Sequence, residues 1–174
     1  VFYSTTIDTL ENVEYSNVDA YYNVRFYRSD MQGKCDSIHY STQDSIMEMY
    51  NEPLLWSEEN QLSGNFIKIF MKGKSLDRIF IEGNSFIVSQ EKIDTTKFNQ
   101  ISGKQITAYA DDGKLRKILV DGNAQSLYYA SEEDGSYVGG NRAESSYLTI
   151  YMNSNGKLDR IVMTPASEGT FSPL

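Results

Sequence analysis

The one histidine of this 174-residue chain, His39, stands four residues after its one cysteine, Cys35. On a helix that spacing would bring both to one face and begin a metal centre. Two ligands are too few for a structural zinc site, and the surrounding "NVRFYRSDMQGKCDSIHY" alternates as a strand does. A hydroxyl or thiol nucleophile would also have to use His39, with no nucleophile elbow near it. Paired carboxylates are the remaining route to chemistry, since glycoside hydrolysis needs two across a cleft. Glu58-Glu59, Asp111-Asp112 and Glu132-Glu133-Asp134 supply pairs, but all lie in polar or turn-like runs where a solvated surface is the simpler reading. Gly139-Gly140 lacks the strand-to-helix setting of a phosphate loop. Trp56, the sole tryptophan, in "NEPLLWSEENQLSG", reads as a core residue. The expectation is therefore a protein that is not an enzyme, with no metal and no cofactor.

The elements around these residues read as strands. Tyrosine (13) and phenylalanine (8) are abundant, proline is scarce (3), and 40% of residues are hydrophobic, enough for a core. The net charge of −8 argues against nucleic acid and against electrostatic adsorption to anionic lipid. A single cysteine rules out an intrachain disulfide. No run approaches the ~20 apolar residues of a membrane-spanning helix. The chain starts at Val1 and shows no signal-peptide apolar region, so it reads as one domain, 1–174, excised or processed from a longer protein.

An internal repeat organises the sequence. "LSGNFIKIFMKGKSLDRIFIEGNSFIVSQ" (62–90) recurs 39 residues later as "ISGKQITAYADDGKLRKILVDGNAQSLYY" (101–129), and a third copy, "LTIYMNSNGKLDRIVM" (148–163), follows. A weaker one precedes them at 23–40. Leu76-Asp77-Arg78-Ile79 falls on Leu115-Arg116-Lys117-Ile118, and Gly83-Asn84 falls on Gly122-Asn123. Period-two alternation puts Ile67, Ile69 and Met71 on one face, matched by Ile106, Ala108 and Ala110, then by Leu148, Ile150 and Met152. Ile79 and Ile81 match Ile118 and Val120, then Ile161 and Met163. The opposite face carries Lys68, Thr107 and Thr149 beside Phe70, Tyr109 and Tyr151. Lys72-Gly73-Lys74, Asp111-Asp112-Gly113 and Asn153-Ser154-Asn155-Gly156 suit hairpin turns, and Glu82-Gly83-Asn84 and Asp121-Gly122-Asn123 make the second corner of each unit. The pattern predicts an all-β antiparallel meander. Residues 42–53 read as strand rather than helix, residues 131–146 as a polar, Gly-rich loop, and residues 1–15 give no clear pattern.

Stacked hairpins of this kind bury one continuous apolar seam. If part of it stays open, an acyl chain is a natural guest, because each buried CH₂ contributes about 0.8 kcal/mol.

The residues "LWS…NQLSG", "F-NQI-G…TAY", "V-GNAQS-YY" and "NR-ESS" resemble the OstA/LptA-like lipopolysaccharide-transport family in its Bacteroidetes-type form, across roughly residues 13–174. That resemblance implies a twisted, partly open β-jelly roll, or β-taco, in the periplasm. Lipid A acyl chains would lie between the sheets, and domains would join edge to edge with other bridge proteins or with copies of themselves. Carried onto this sequence, the lipid-binding face is Ile67, Ile69, Met71, Ile79, Ile81, Ile106, Ala108, Ile118, Val120, Leu148, Ile150, Ile161 and Met163. Tyr128 and Phe171 could also face inward near the ends. Two other readings stay open: a β-repeat interaction scaffold with a self-packed core, and a carbohydrate-active enzyme using the paired carboxylates.

Overall fold

A computed structural model describes every residue except 9–12, 58, 92–93, 133–135, 157, 166 and 174. Its elements are all strands: β1 (Phe2–Asp8), β2 (Val13–Tyr27), β3 (Gln32–Ser41), β4 (Ile46–Tyr50), β5 (Leu54–Ser57), β6 (Asn60–Ser63), β7 (Phe66–Lys72), β8 (Ser75–Gln90), β9 (Phe98–Asp111), β10 (Lys114–Ser131), β11 (Tyr137–Met152), β12 (Leu158–Thr164) and β13 (Glu168–Pro173). They form one 13-stranded sheet in which every pairing is antiparallel.

The long strands bend midway. Gly83-Asn84 and Gly122-Asn123, read from sequence as turns, are bulges inside single strands, where the register jumps from Glu82 to Ser85 and from Asp121 to Ala124. Both residues of each pair have positive φ (71°, 51°, 77° and 53°). Tyr22-Asn23 in β2 and Asn51-Glu52 between β4 and β5 repeat the device. A bulge bends its strand and increases the local twist, and these bulges line up across the sheet. The sheet therefore folds over along one line into two layers. The first runs β1, β2, β3, β4, β7, β8, β9, β10, β11, β12. The second holds the other halves of β2, β3, β8, β9, β10 and β11 together with β5, β6 and β13.

Close packing fixes the corner. A side chain on Gly64 or Gly103 would run into Ile81 or Val120 respectively. Asn65 N–H donates to both Glu82 O (2.9 Å) and Gly83 O (2.8 Å). The Ser85 hydroxyl, buried at the bend, lies 3.0 Å from Ile81 O and 3.1 Å from Lys104 O, which satisfies it.

Two sequence expectations change here. Residues 131–146 are mostly strand: β10 runs to Ser131 and β11 begins at Tyr137. Its Gly- and Ser-rich composition hid a strand whose backbone is paired on both sides, by β10 and by β13. Trp56 is not in the core. Its neighbour Leu55 points inward and is fully buried, while Trp56 lies on the outer side, its Nε1–H donating to Gln61 Oε1 at 2.9 Å. Within 42–53, the strand expected is β4, and residues 1–15 supply β1 and the start of β2.

Candidate functional site

The inward face of the first layer is a two-row apolar seam. One row passes through cross-strand partners Ala20, Ile38, Met49, Ile67, Ile81, Ile106, Val120, Leu148 and Met163. The next passes through Met47, Ile69, Ile79, Ala108, Ile118, Ile150 and Ile161. All thirteen positions proposed from sequence lie on this face. Alternation puts them there, since successive side chains leave opposite sides of a pleated strand.

Burial divides them. Ile67, Ile69, Ile79, Ile81, Ile106, Ala108, Ile118, Val120, Leu148 and Ile150 are buried, several with no exposure at all. Met71, Ile161 and Met163 are half-buried against the same core. The middle of the seam is covered by the second layer, whose row Leu55, Leu62, Ile87 and Ile101 joins it in one cluster. Toward β12 and β13 that covering row shrinks to Ser126, Ala143 and Gly169. Opposite those small residues the first layer still presents large ones, so the rim at this end is apolar and partly uncovered. Tyr128 shares the parity of Ser126 and is half-buried; burial and the nearby Glu91 charge push its hydroxyl pKa up. Phe171, aligned with Asn141 in the same direction, is 49% exposed.

Sequence reasoning missed the contributions of Ala20, Ile38, Met49, Leu55, Leu62 and Ile87. The alternation in 46–50 and the Leu62 position of the repeat carried that signal.

One end of the sandwich has a polar mouth. A cavity of about 480 Å³ opens between the β2–β3 turn on one layer and the β7–β8 and β9–β10 turns on the other, with Asp30, Met31, Lys74 and Lys114 in its wall. Arg28 straps it. Its guanidinium donates to both Asp30 carboxylate oxygens (2.7 Å each) and reaches across to Lys74 O at 3.2 Å. The Arg28 contact holds the Asp30 carboxyl below its ordinary pKa.

The residues first considered for chemistry are separated. Cys35 faces the core, where burial raises its thiol pKa to about 11. His39 faces outward, with Nδ1 2.7 Å from Asp19 Oδ1. Asp111, Asp112, Glu59 and Glu132 are exposed, the first two at the β9–β10 turn; Glu58, Glu133 and Asp134 lie outside the described residues. Gly139-Gly140 belongs to β11, with Gly139 packed under the Phe171 ring.

Edges complete the site. β1 and β12 end the first layer with one neighbour each, and β13 ends the second. Every side chain of β13 is exposed, as are those described in β1. Unpaired edges of this kind can pair with another chain.

No protein-family model matches the chain, and no curated protein matches it. Its fold is similar to the crystal structure of LptH, the LptA-homologous periplasmic component of the conserved lipopolysaccharide transport device from Pseudomonas aeruginosa. The TM-score is 0.55 at 12% identity, over 78% of this chain and 95% of that one. At that identity the likeness is one of fold: an all-β, LptA-like β-jelly roll, as the sequence predicted.

Proposed function

We propose that this chain is a non-enzymatic, periplasmic lipopolysaccharide-binding component of a transport or assembly bridge, of the OstA/LptA-like kind. Lipid A acyl chains enter the apolar seam between the layers, and edge strands dock neighbouring domains by β-augmentation. The observation that carries this reading is the seam itself, a two-row apolar face continuous from β4 to β12 within an LptA-like fold. Because its middle is filled, the first contact with lipid is assigned to the β12–β13 rim, at Ile161 and Met163 with Leu148 and Ile150 behind them. Deeper entry requires the layers to part.

The dense central packing favours a second reading, an interaction scaffold whose core is self-packed and whose edges alone act. Site-specific photocrosslinkers separate the two. Placed at Met163 in the protein made in its host envelope, a crosslinker is expected to capture lipopolysaccharide, while one at exposed Asp112 is not. Capture at neither position, together with protein that carries no lipid in native mass spectrometry, would leave only the scaffold. The rim is the right place to test, because Ile69→Asp would bury a carboxylate in filled core and unfold the protein.

A further inference from the structure

The outer face of the first layer carries a row that the seam does not use. Phe70, Arg78, Tyr109, Lys117, Tyr151 and Arg160 are cross-strand partners in that order on β7, β8, β9, β10, β11 and β12. Aromatic and cationic residues alternate along it. The Arg78 guanidinium stacks 4.0 Å from the Phe70 ring centre, the Lys117 ammonium sits 5.8 Å from both Tyr109 and Tyr151, and the Arg160 guanidinium lies 4.5 Å from Tyr151. The three copies of the repeat supply equivalent residues: Arg78, Lys117 and Arg160 fall at one position, and Phe70, Tyr109 and Tyr151 at another.

Two observations mark this ladder as more than sheet reinforcement. Among the described residues, none of the three cations makes an ion pair or a side-chain hydrogen bond, although the chain has a net charge of −8. Arg78 Nε is shielded from solvent and has no hydrogen-bond partner. The six side chains leave the layer on the side opposite the buried seam, so the row carries three positive charges there, held against aromatic rings and paired by no described carboxylate. The cations stand on alternate strands, about 10 Å apart.

The shape favours a narrow ligand over a flat one. Glu82 and Asp121 follow Arg78 and Lys117 by four residues on the same face, about 13 Å along the strands. Asp111, two residues beyond Tyr109 on the same face, is nearer, about 7 Å from the row. These carboxylates flank the row on both sides, so they would repel an anionic bilayer laid across the face and leave the row itself to a single chain. The neighbouring row offers the hydroxyls of Thr107 and Thr149.

We propose that this ladder binds a phosphorylated carbohydrate chain, with Arg78, Lys117 and Arg160 pairing its phosphates and the Tyr and Thr hydroxyls meeting its sugar hydroxyls. The sugar identity rests on the lipopolysaccharide reading above; the anion preference rests on the unpaired cations. Guanidinium groups bind phosphate through parallel hydrogen bonds, so arginine at two of the three positions suits that group.

The test uses a fluorescently labelled, fully deacylated lipopolysaccharide glycan that retains its phosphates, and the same glycan after phosphatase treatment. Anisotropy titration is expected to show binding of the first, weakened about tenfold or more by dephosphorylation and by the joint change Arg78→Gln, Lys117→Gln, Arg160→Gln. The charge-matched change Arg25→Gln, Lys34→Gln, Lys104→Gln should bind within about twofold of the unaltered protein, since those residues lie off the ladder. In the unaltered protein, NMR should show the Arg78 Nε–Hε resonance moving on addition of the phosphorylated glycan, a readout that survives if the triple variant does not fold. Equal loss in both triple variants, or an unmoved Arg78 resonance at saturation, overturns the proposal. So does co-sedimentation with phosphatidylglycerol vesicles that the ladder variant abolishes, which would make the strip a membrane contact. The probe has no acyl chains, so its failure leaves the seam reading standing, and failed crosslinking at Met163 leaves the ladder standing.

Discussion

The first and third copies of the hairpin unit carry the same kinds of side chain in different surroundings. Ile79 and Ile81 on β8 are buried, at 4% and 0% exposure, whereas their counterparts Ile161 and Met163 on β12 are half-buried. The residues are equally apolar, so composition does not separate them. The neighbours do. β8 lies between β7 and β9 and is covered by Leu62 and Ile87, while β12 has β11 on one side only and small residues opposite. A sequence pattern fixes which way a side chain points; what covers it is decided by other parts of the chain.

Truncation should expose the difference most strongly. Ile81→Ala is expected to cost about 3 kcal/mol and Ile161→Ala about 1 kcal/mol, because only the first leaves a sealed cavity. Urea midpoints measure both, and equal losses would erase the distinction between middle and rim. Corners provide a second comparison. Gly122→Ala should cost about 2 kcal/mol, since φ is 77° and the new methyl would meet Lys104 Cδ at 2.7 Å. Gly73→Ala, at φ 62° in an open turn with nothing within 4 Å, should cost only about 1 kcal/mol. If the two match, the bend is not held by contact.

The smallest effect belongs to the outer face of the middle strands. Glu48 accepts from Lys68 at 2.7 Å and from Tyr50 at 2.7 Å, and these bonds, Lys68 first, lower its pKa from 4.5. A lowered carboxyl pKa stabilises the fold above its unfolded value and loses that contribution as pH falls through the folded one. Lys68→Gln should therefore cost a few tenths of a kcal/mol at neutral pH, roughly the worth of a half-exposed pair. The cost should vanish in acid, as thermal melts across pH 3 to pH 7 (about the span of carboxylate titration) would show.

Much of this was legible in the residues. Strict alternation in Ile67–Met71 and its copies gave the strands and the inward face, and Asp112-Gly113 gave a hairpin turn with both residues at positive φ. The Gly-Asn pairs were read as turns because the same backbone conformations serve a reversal and a bulge; only the pairing register tells them apart. Residues 137–146 were read as loop because their partners, β10 and β13, are distant or later in sequence. The cation ladder was visible as Arg78, Lys117 and Arg160 in equivalent places, but its continuity depended on register. Whether the seam is covered could not be read locally, because Leu62 and Ile87 reach it only after the sheet folds over.

The bulged strands β2, β8 and β10 alternate with strands that cross the bend on a single residue, Asp36 in β3, Lys104 in β9 and Ser146 in β11. One full repeat adds a member of each kind. Duplicating a unit thus lengthens the protein without disturbing the fold line, whereas adding one lone strand would set two like members side by side and spoil the crease. Such a chain can grow or shrink only in paired steps, and its length along the sheet becomes a quantity that gene duplication can tune in fixed increments.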